Sequence, residues 1–262
     1  MSGPVTQAVY RGVMFFTDPH LAATPPYERR EGYLEHVLAK VSACLEHARE
    51  SELLPVLLGD FFHRRPGNVR QLLRRVFEVL EPYAGTSFRP WVLQGNHDQE
   101  EGAGSENSSL HVCALAGMIH LMDVSGVHGR FHVDGCEVAL GATPYGMTLP
   151  SAVERAGADY VLWGSHCGIG FRDVVRKYPP LHEIQGVDWV VNGHLHWTQP
   201  TEARGMTRWS NIGGMTRISF APRNRDRAPI AGIWRPGNTD LEPWEIPHLP
   251  FDDVFPMRHF PP

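Results

Sequence analysis

Five places in the chain set oxygen or imidazole donors directly after a short apolar run. They are Asp18 and His20, then Asp60, then Asn96 and His97, then His166, and last His194 and His196. A lone Gly-Asp after such a run is usually a turn, and an isolated histidine there is more often structural than a ligand. Five in series repeat one chemistry. Mixed carboxylate, amide and imidazole donors suit divalent ions such as Mn²⁺, Fe²⁺ or Zn²⁺. The count fits two ions better than one, since paired ions need a bridging carboxylate and terminal ligands on either side. Asp60 is the natural bridge, because a carboxylate has two oxygens to share. His97 is then left over beside Asn96, and an imidazole at a metal–phosphate site suits protonating a leaving oxygen.

Such side chains need elements that bring them to one edge. Trp91-Val92-Leu93 reads as a buried strand ending at Gly95, and the alternation of strand side chains puts Asn96, His97 and Asp98 on the loop beyond it. In open α/β sheets ligands bind at that edge. Val9–Phe16 and Leu53–Leu58 are strands of the same kind. Apolar positions at Leu34, Val37, Leu38, Val41, Leu45 and Ala48 predict an amphipathic helix within 27–50. Asn68 is the expected N-cap of a second helix that Pro82 stops, and a third is expected over 105–116. This strand–helix alternation predicts a parallel sheet. From about residue 120 a more antiparallel half is expected, with a hairpin at Asp134-Gly135, strands before His166 and His194, and short strands at 208–211, 216–220 and 230–234. The chain is expected to be one domain over 1–262, with 206–246 completing the second sheet and an irregular tail at 251–262.

The ordered set Asp18-x-His20, Gly59-Asp60, Gly95-Asn96-His97-Asp98, His166 and Gly193-His194-x-His196 resembles the five motifs of the calcineurin-like metallophosphoesterases, over roughly residues 13–200. The resemblance implies an α/β fold, a four-layer α-β-β-α sandwich with mixed sheets and a dinuclear centre between them. It implies Asp18, His20, Asp60 and His196 on one ion, and Asp60, Asn96, His166 and His194 on the other. His97 would be the general acid and Asp98 its orienter.

Within that superfamily, Gly59-Asp60-Phe61-Phe62-His63-Arg64-Arg65-Pro66 resembles the SbcD-type DNA-repair nucleases, as does Asn211-Ile212-Gly213-Gly214-Met215-Thr216-Arg217. That likeness implies that His63 contacts the scissile phosphate. Arg64, Arg65 and Arg217 are expected substrate contacts. Ala22 stands where those nucleases usually have Gly, and Ile212-Gly213 replaces Pro-Gly. The chain has no room for a DNA-capping domain, which suits compact, phage-like or stand-alone forms.

The expectation is therefore a Mn²⁺-dependent phosphodiesterase cutting DNA or RNA, by attack of a metal-activated hydroxide with His97 as acid. Fe²⁺, Zn²⁺ and Mg²⁺ are the other candidate ions. An SbcC-like ATPase is the partner the likeness implies, and a dimer is compatible with it. The alternatives are a phosphoesterase for a nucleotide or phosphoprotein, and a non-catalytic scaffold; the motifs read the phosphate and not what hangs from it.

The composition bounds these readings. An apolar fraction of 42% supplies a sizeable core in 262 residues. A net charge of −5 argues against holding nucleic acid by bulk charge alone, while leaving room for a local basic groove. Fifteen histidines are the oddity. Four scattered cysteines without a Cys-x-x-Cys pair, no apolar run of membrane-spanning length and no secretion signal predict a reduced, cytoplasmic protein without membrane contact.

Overall fold

The architecture was read from a computed structural model that describes residues 9–63, 69–99, 108–172 and 178–256. Its first sheet is built on three parallel strands, β2 (Gly12–Phe16), β3 (Leu53–Leu57) and β4 (Trp91–Leu93), with β5 (His120–Met122) added in parallel. The crossovers are α1 (Tyr33–Glu50), α2 (Arg70–Ala84) and α3 (Ser109–Leu115). β2 and β3 are buried at every position, which explains their unbroken apolar runs. Along β2, Met14 and Phe16 join the core under the helices, while Val13 and Phe15 join the core between the two sheets.

The second sheet runs β1 (Val9–Tyr10), β6 (Gly126–Val133), β7 (Cys136–Thr143), β8 (Tyr160–Ser165), β9 (Trp189–Asn192), β11 (Thr207–Asn211) and β10 (Gln199–Arg204). The layers follow the metallophosphoesterase sandwich. Among the described residues the outer layer on the second sheet is loop rather than helix, with Ile169, Phe171, Leu181 and Ile184 covering Val161, Trp163 and Val190.

Several expectations are corrected. The 9–16 run is two strands: β1 pairs with β6, and Arg11 separates it from β2 in the other sheet. The second half is less antiparallel than expected, since β7, β8, β9 and β11 lie parallel in series. Residues 206–246 divide: β11 extends the second sheet, but β12 (Ile230–Trp234) and β13 (Glu242–Glu245) join the first, beside β2. Residues 216–220 are loop. Pro82 lies inside α2, which runs two residues further; in a last turn proline removes one terminal hydrogen bond and interrupts nothing beyond it. Val69 occupies the N-cap position of α2, and Asn68 lies outside the described residues. Helix α3 is shorter than expected and is capped by the Ser108 side chain. The tail contains a short helical turn at Phe251–Val254. No helix among the described residues is long and apolar enough to cross a membrane.

Candidate metal centre

The strands β2, β3 and β4 of one sheet, and β8 and β9 of the other, each deliver their polar residues at the carboxyl end. Parallel strands put those ends on one edge, and stacking the sheets brings the two edges together. The loops stay paired beyond the strands: the Asp18 N–H donates to the Gly59 carbonyl (3.2 Å), and the His20 N–H to that of Asp60 (3.0 Å). Asp18, His20, Asp60 and His194 all have positive φ, from 50° to 68°. That conformation costs a non-glycine residue free energy and persists where the surroundings enforce it, often at functional sites. Two glycines permit the close approach. A Cβ on Gly59 (φ +92°) would sit 2.3 Å from His166 Nδ1, and one on Gly95 would sit 2.2 Å from the Asp60 backbone nitrogen.

The side chains converge in two groups that share Asp60. Asp18, His20, Asp60 and His196 form one, and Asp60, His166 and His194 the other, with the ligand atoms of each group within 4.8 Å of one another. Nε2 of His20 lies 3.1 Å from Nε2 of His196 and 3.7 Å from Asp60 Oδ2. Asp18 Oδ1 lies 3.5 Å from His196 Nε2. On the other side, Asn96 Oδ1 is 3.2 Å from His166 Nε2 and 2.9 Å from His194 Nδ1, and Asp60 Oδ1 is 3.4 Å from His166 Nε2.

These donors fit cations. Asp18 Oδ1 is fully buried and has no hydrogen-bond donor, a costly state for a carboxylate oxygen. His166 Nδ1 lies 2.6 Å from the Leu58 carbonyl, so it carries the proton. Nε2 then turns a lone pair toward two oxygens, an arrangement that only positive charge reconciles. The same demand appears in the titration of the site. Burial opposes it, yet the Asp60 carboxylate pushes His166 up to about 9. Burial also raises the carboxyls, but His166 and His20 hold Asp60 well below the usual range, and His196 holds Asp18 below it. Burial draws His20 down to about 3 and, with His166 beside it, His194 down to about 4, so both are neutral imidazoles ready to ligate.

Three further residues flank the groups. His97 donates its backbone N–H to Asp60 Oδ1 (2.8 Å), and its Nδ1 meets the His63 carbonyl at 2.6 Å. That fixes Nδ1 as the donor and leaves Nε2 for chemistry. His63 stacks on His97, with centroids 5.4 Å apart and planes 13° apart. Asp98, which the resemblance makes the orienter of His97, has other partners, and the ring's Nδ1 goes to the His63 carbonyl instead. The Asp98 carboxylate accepts the backbone N–H groups of Gly95 (2.9 Å), Phe61 (3.2 Å) and Phe62 (2.9 Å), bracing the β3 and β4 loops against each other. Burial and the Asp60 charge push Asp98 up to about 7, against those three donors.

The arginines divide. Arg64 and Arg65 lie outside the described residues. Arg217 is buried, donates to the Leu249 carbonyl and lines a cavity with His36, Ala39 and Lys40 of α1. Arg227, part of a basic stretch in the sequence with Arg223 and Arg225, feels the charge of Asp18. It donates to the Gly214 carbonyl, and its Nε and Nη2 are buried without a partner. Aromatic residues also rim the centre. Tyr27, 74% exposed, lies beside His63 with centroids 6.2 Å apart, Tyr145 beside His194 (5.4 Å), and Arg223 covers the ring of Trp197 at 4.0 Å.

The family description "Calcineurin-like phosphoesterase" matches residues 12–198. Among solved structures, the Thermus thermophilus protein TT1561 shares the fold, with a TM-score of 0.53 and 11% identity over 91% of this chain and 100% of that one. A hypothetical protein from the same organism aligns at 17% identity and a TM-score of 0.49 over 90% of this chain and 100% of that one. No curated protein matches the sequence.

Proposed function

The chain belongs to the calcineurin-like phosphoesterase family, and from that premise we propose that it is a nuclease acting on single strands and open ends of nucleic acid. The coarser activity, metal-dependent phosphoester hydrolysis, follows from the family and from the His/Asp groups that could hold metal ions. Asp18, His20, Asp60 and His196 would hold one divalent ion, and Asp60, Asn96, His166 and His194 the second. Manganese is the ion we favour, for the mixed donor set. Bound there, the ions supply charge neutralisation at the phosphoryl group and a water acidified toward neutral pH.

The protein's own groups do the rest. His97 keeps Nδ1 on the His63 carbonyl and holds a proton at Nε2 for the departing oxygen. The hydrogen bond at Nδ1 sets the ring's angle before and after transfer. His63, stacked against it, would touch the same phosphate. Arg227 brings unpartnered N–H groups behind Gly214, near Asp18. Processive work on duplex would call for an ATPase partner of the SbcC kind.

The observation that supports a polymer of bases, over a bare small phosphoester, is the aromatic rim. Tyr27 and Tyr145 offer flat faces around the centre, and stacking on such faces contributes about 1–3 kcal/mol per base irrespective of sequence. The experiment is a Mn²⁺ assay on single- and double-stranded DNA and RNA and on a nitrophenyl phosphodiester. Tyr27→Ala with Tyr145→Ala should raise KM for single strands about tenfold or more while sparing the small diester. Intact polymers beside rapid turnover of mononucleotides would transfer the assignment to a small-substrate phosphoesterase.

A further inference from the structure

A second concentration of charge lies behind the loop that carries Gly214 and Met215. Lys40 of α1, Arg29 and Arg217 are 6%, 8% and 3% exposed. Together with His36 and His248 they line a cavity of about 280 Å³. Lys40 Nζ donates to the Met215 carbonyl (2.8 Å), Arg29 Nη1 to the Arg217 carbonyl (3.1 Å), and Arg217 Nη2 to the Leu249 carbonyl. Arg29 also lies over the rings of Tyr33 (5.2 Å) and Phe255 (5.1 Å). These contacts orient the cations without neutralising them. The Nε atoms of Arg29 and Arg217 are buried and have no acceptor.

No carboxylate among the described residues forms an ion pair with any of the three. Two acids on the flanking elements are committed elsewhere, Glu35 to Arg75 and Asp252 to Arg225. Three buried cationic side chains with no carboxylate partner among the described residues are costly unless an anion joins them. The strain shows in Lys40, which burial, then Arg217, Arg29 and Arg227, draw down to about 7. Carbonyl capping alone would account for one donor per side chain; it leaves both Nε atoms and the net charge unanswered.

We propose that this cavity binds a compact oxyanion, a phosphate group, at a site separate from the metal centre. Two guanidinium forks and an ammonium match the oxygens of a phosphate better than a monovalent halide, which offers one point of contact. None of the residues is a candidate metal ligand, so the site does not depend on the reading of the active centre. It does share a wall with it. Met215 donates its N–H to the Thr17 carbonyl (2.8 Å), and the Cβ that Gly214 lacks would lie 3.1 Å from Asp18 Cβ. An anion here therefore braces the loop under Asp18. It also gives Arg217 a task other than the substrate contact expected from the sequence.

The test is calorimetric titration of inorganic phosphate into the chelator-treated full chain, in buffer free of other oxyanions. One phosphate should bind, with a dissociation constant of about 1 mM or tighter. Lys40→Met and Arg29→Gln should each weaken it at least about tenfold, whereas His194→Ala, at the metal centre, should leave it unchanged. A 5′-mononucleotide in the second arm distinguishes free phosphate from a phosphate carried by a larger molecule: tighter binding with the same dependence on Lys40 identifies the latter. Should the variants fail to fold, crystals of the unaltered chain grown with selenate decide, by anomalous density between Arg29, Lys40 and Arg217. Absence of that density, absence of phosphate uptake, or uptake lost only in His194→Ala would each overturn the proposal.

Discussion

Replacing His97 by asparagine isolates the proton that the mechanism assigns to Nε2. The asparagine amide N–H can occupy the place of Nδ1–H and keep the bond to the His63 carbonyl, and the backbone N–H to Asp60 is untouched. What disappears is the donor facing the metal groups. His97 is in neither group that shares Asp60, so both ions should stay. General acid catalysis contributes about 10²–10⁴-fold, or roughly 2.7–5.4 kcal/mol of barrier at 1.36 kcal/mol per tenfold. That loss should appear in full on DNA, whose leaving oxygen is a strongly basic alkoxide. It should shrink to about tenfold or less on a nitrophenyl phosphodiester, whose leaving group departs unprotonated. The assay is kcat/KM on both substrates, with metal content measured on the same preparation. Equal losses on the two substrates, with metal retained, would refute the acid role and leave His97 a binding residue.

Two further outcomes follow from the packing. Gly95→Ala should lower metal affinity and stability together, by about 1–3 kcal/mol in unfolding free energy, because the added methyl meets the Asp60 backbone nitrogen at 2.2 Å; denaturant unfolding with and without Mn²⁺ reads both. His120 is drawn down to about 4 by burial and then by Arg89, so in this window the unfolded chain binds the proton first. Its contribution to stability is complete above about pH 6.5 and is lost as pH falls toward 4. Denaturant unfolding of the metal-free chain should accordingly weaken between pH 7 and 5 more steeply in the wild type than in His120→Gln, and equal slopes would remove His120 from the account.

The sequence carried the strand-and-loop units well because their signals are local. An apolar run, a glycine and then a polar residue state both the strand and the point where it stops, as at Leu57-Leu58-Gly59-Asp60. Long-range partners were the part it could not carry. Nothing local tells Val9–Tyr10 to leave the sheet of Gly12–Phe16; that follows from β6 standing alongside it. Residues 216–220 read as a strand from their β-branched and aromatic content, but tertiary contacts hold that stretch as loop: the neighbouring Met215 is pinned to Thr17 and Lys40, and the carbonyls of Arg217 and Ser219 are taken by the side chains of Arg29 and Asn224. Asp98 sits beside His97 in sequence, yet its acceptors serve backbone groups of another loop. Arg217 and Arg227 look alike in the sequence, and only the fold separates them, one reaching the Leu249 carbonyl and the other the Gly214 carbonyl near Asp18. The side chains of Asp18, His20, Asp60, Asn96, His166, His194 and His196 were all named from the sequence, and the fold brings them together in the two groups that share Asp60.

The central claim is a pair of ions sharing Asp60. Elemental analysis of the chain loaded with Mn²⁺ and desalted tests it most directly, with Asp60→Ala run in parallel. The account predicts close to two equivalents per chain for the wild type, close to none for Asp60→Ala, and hydrolysis abolished by chelator and restored by Mn²⁺. One equivalent or none in the wild type, with hydrolysis indifferent to chelator, would contradict it.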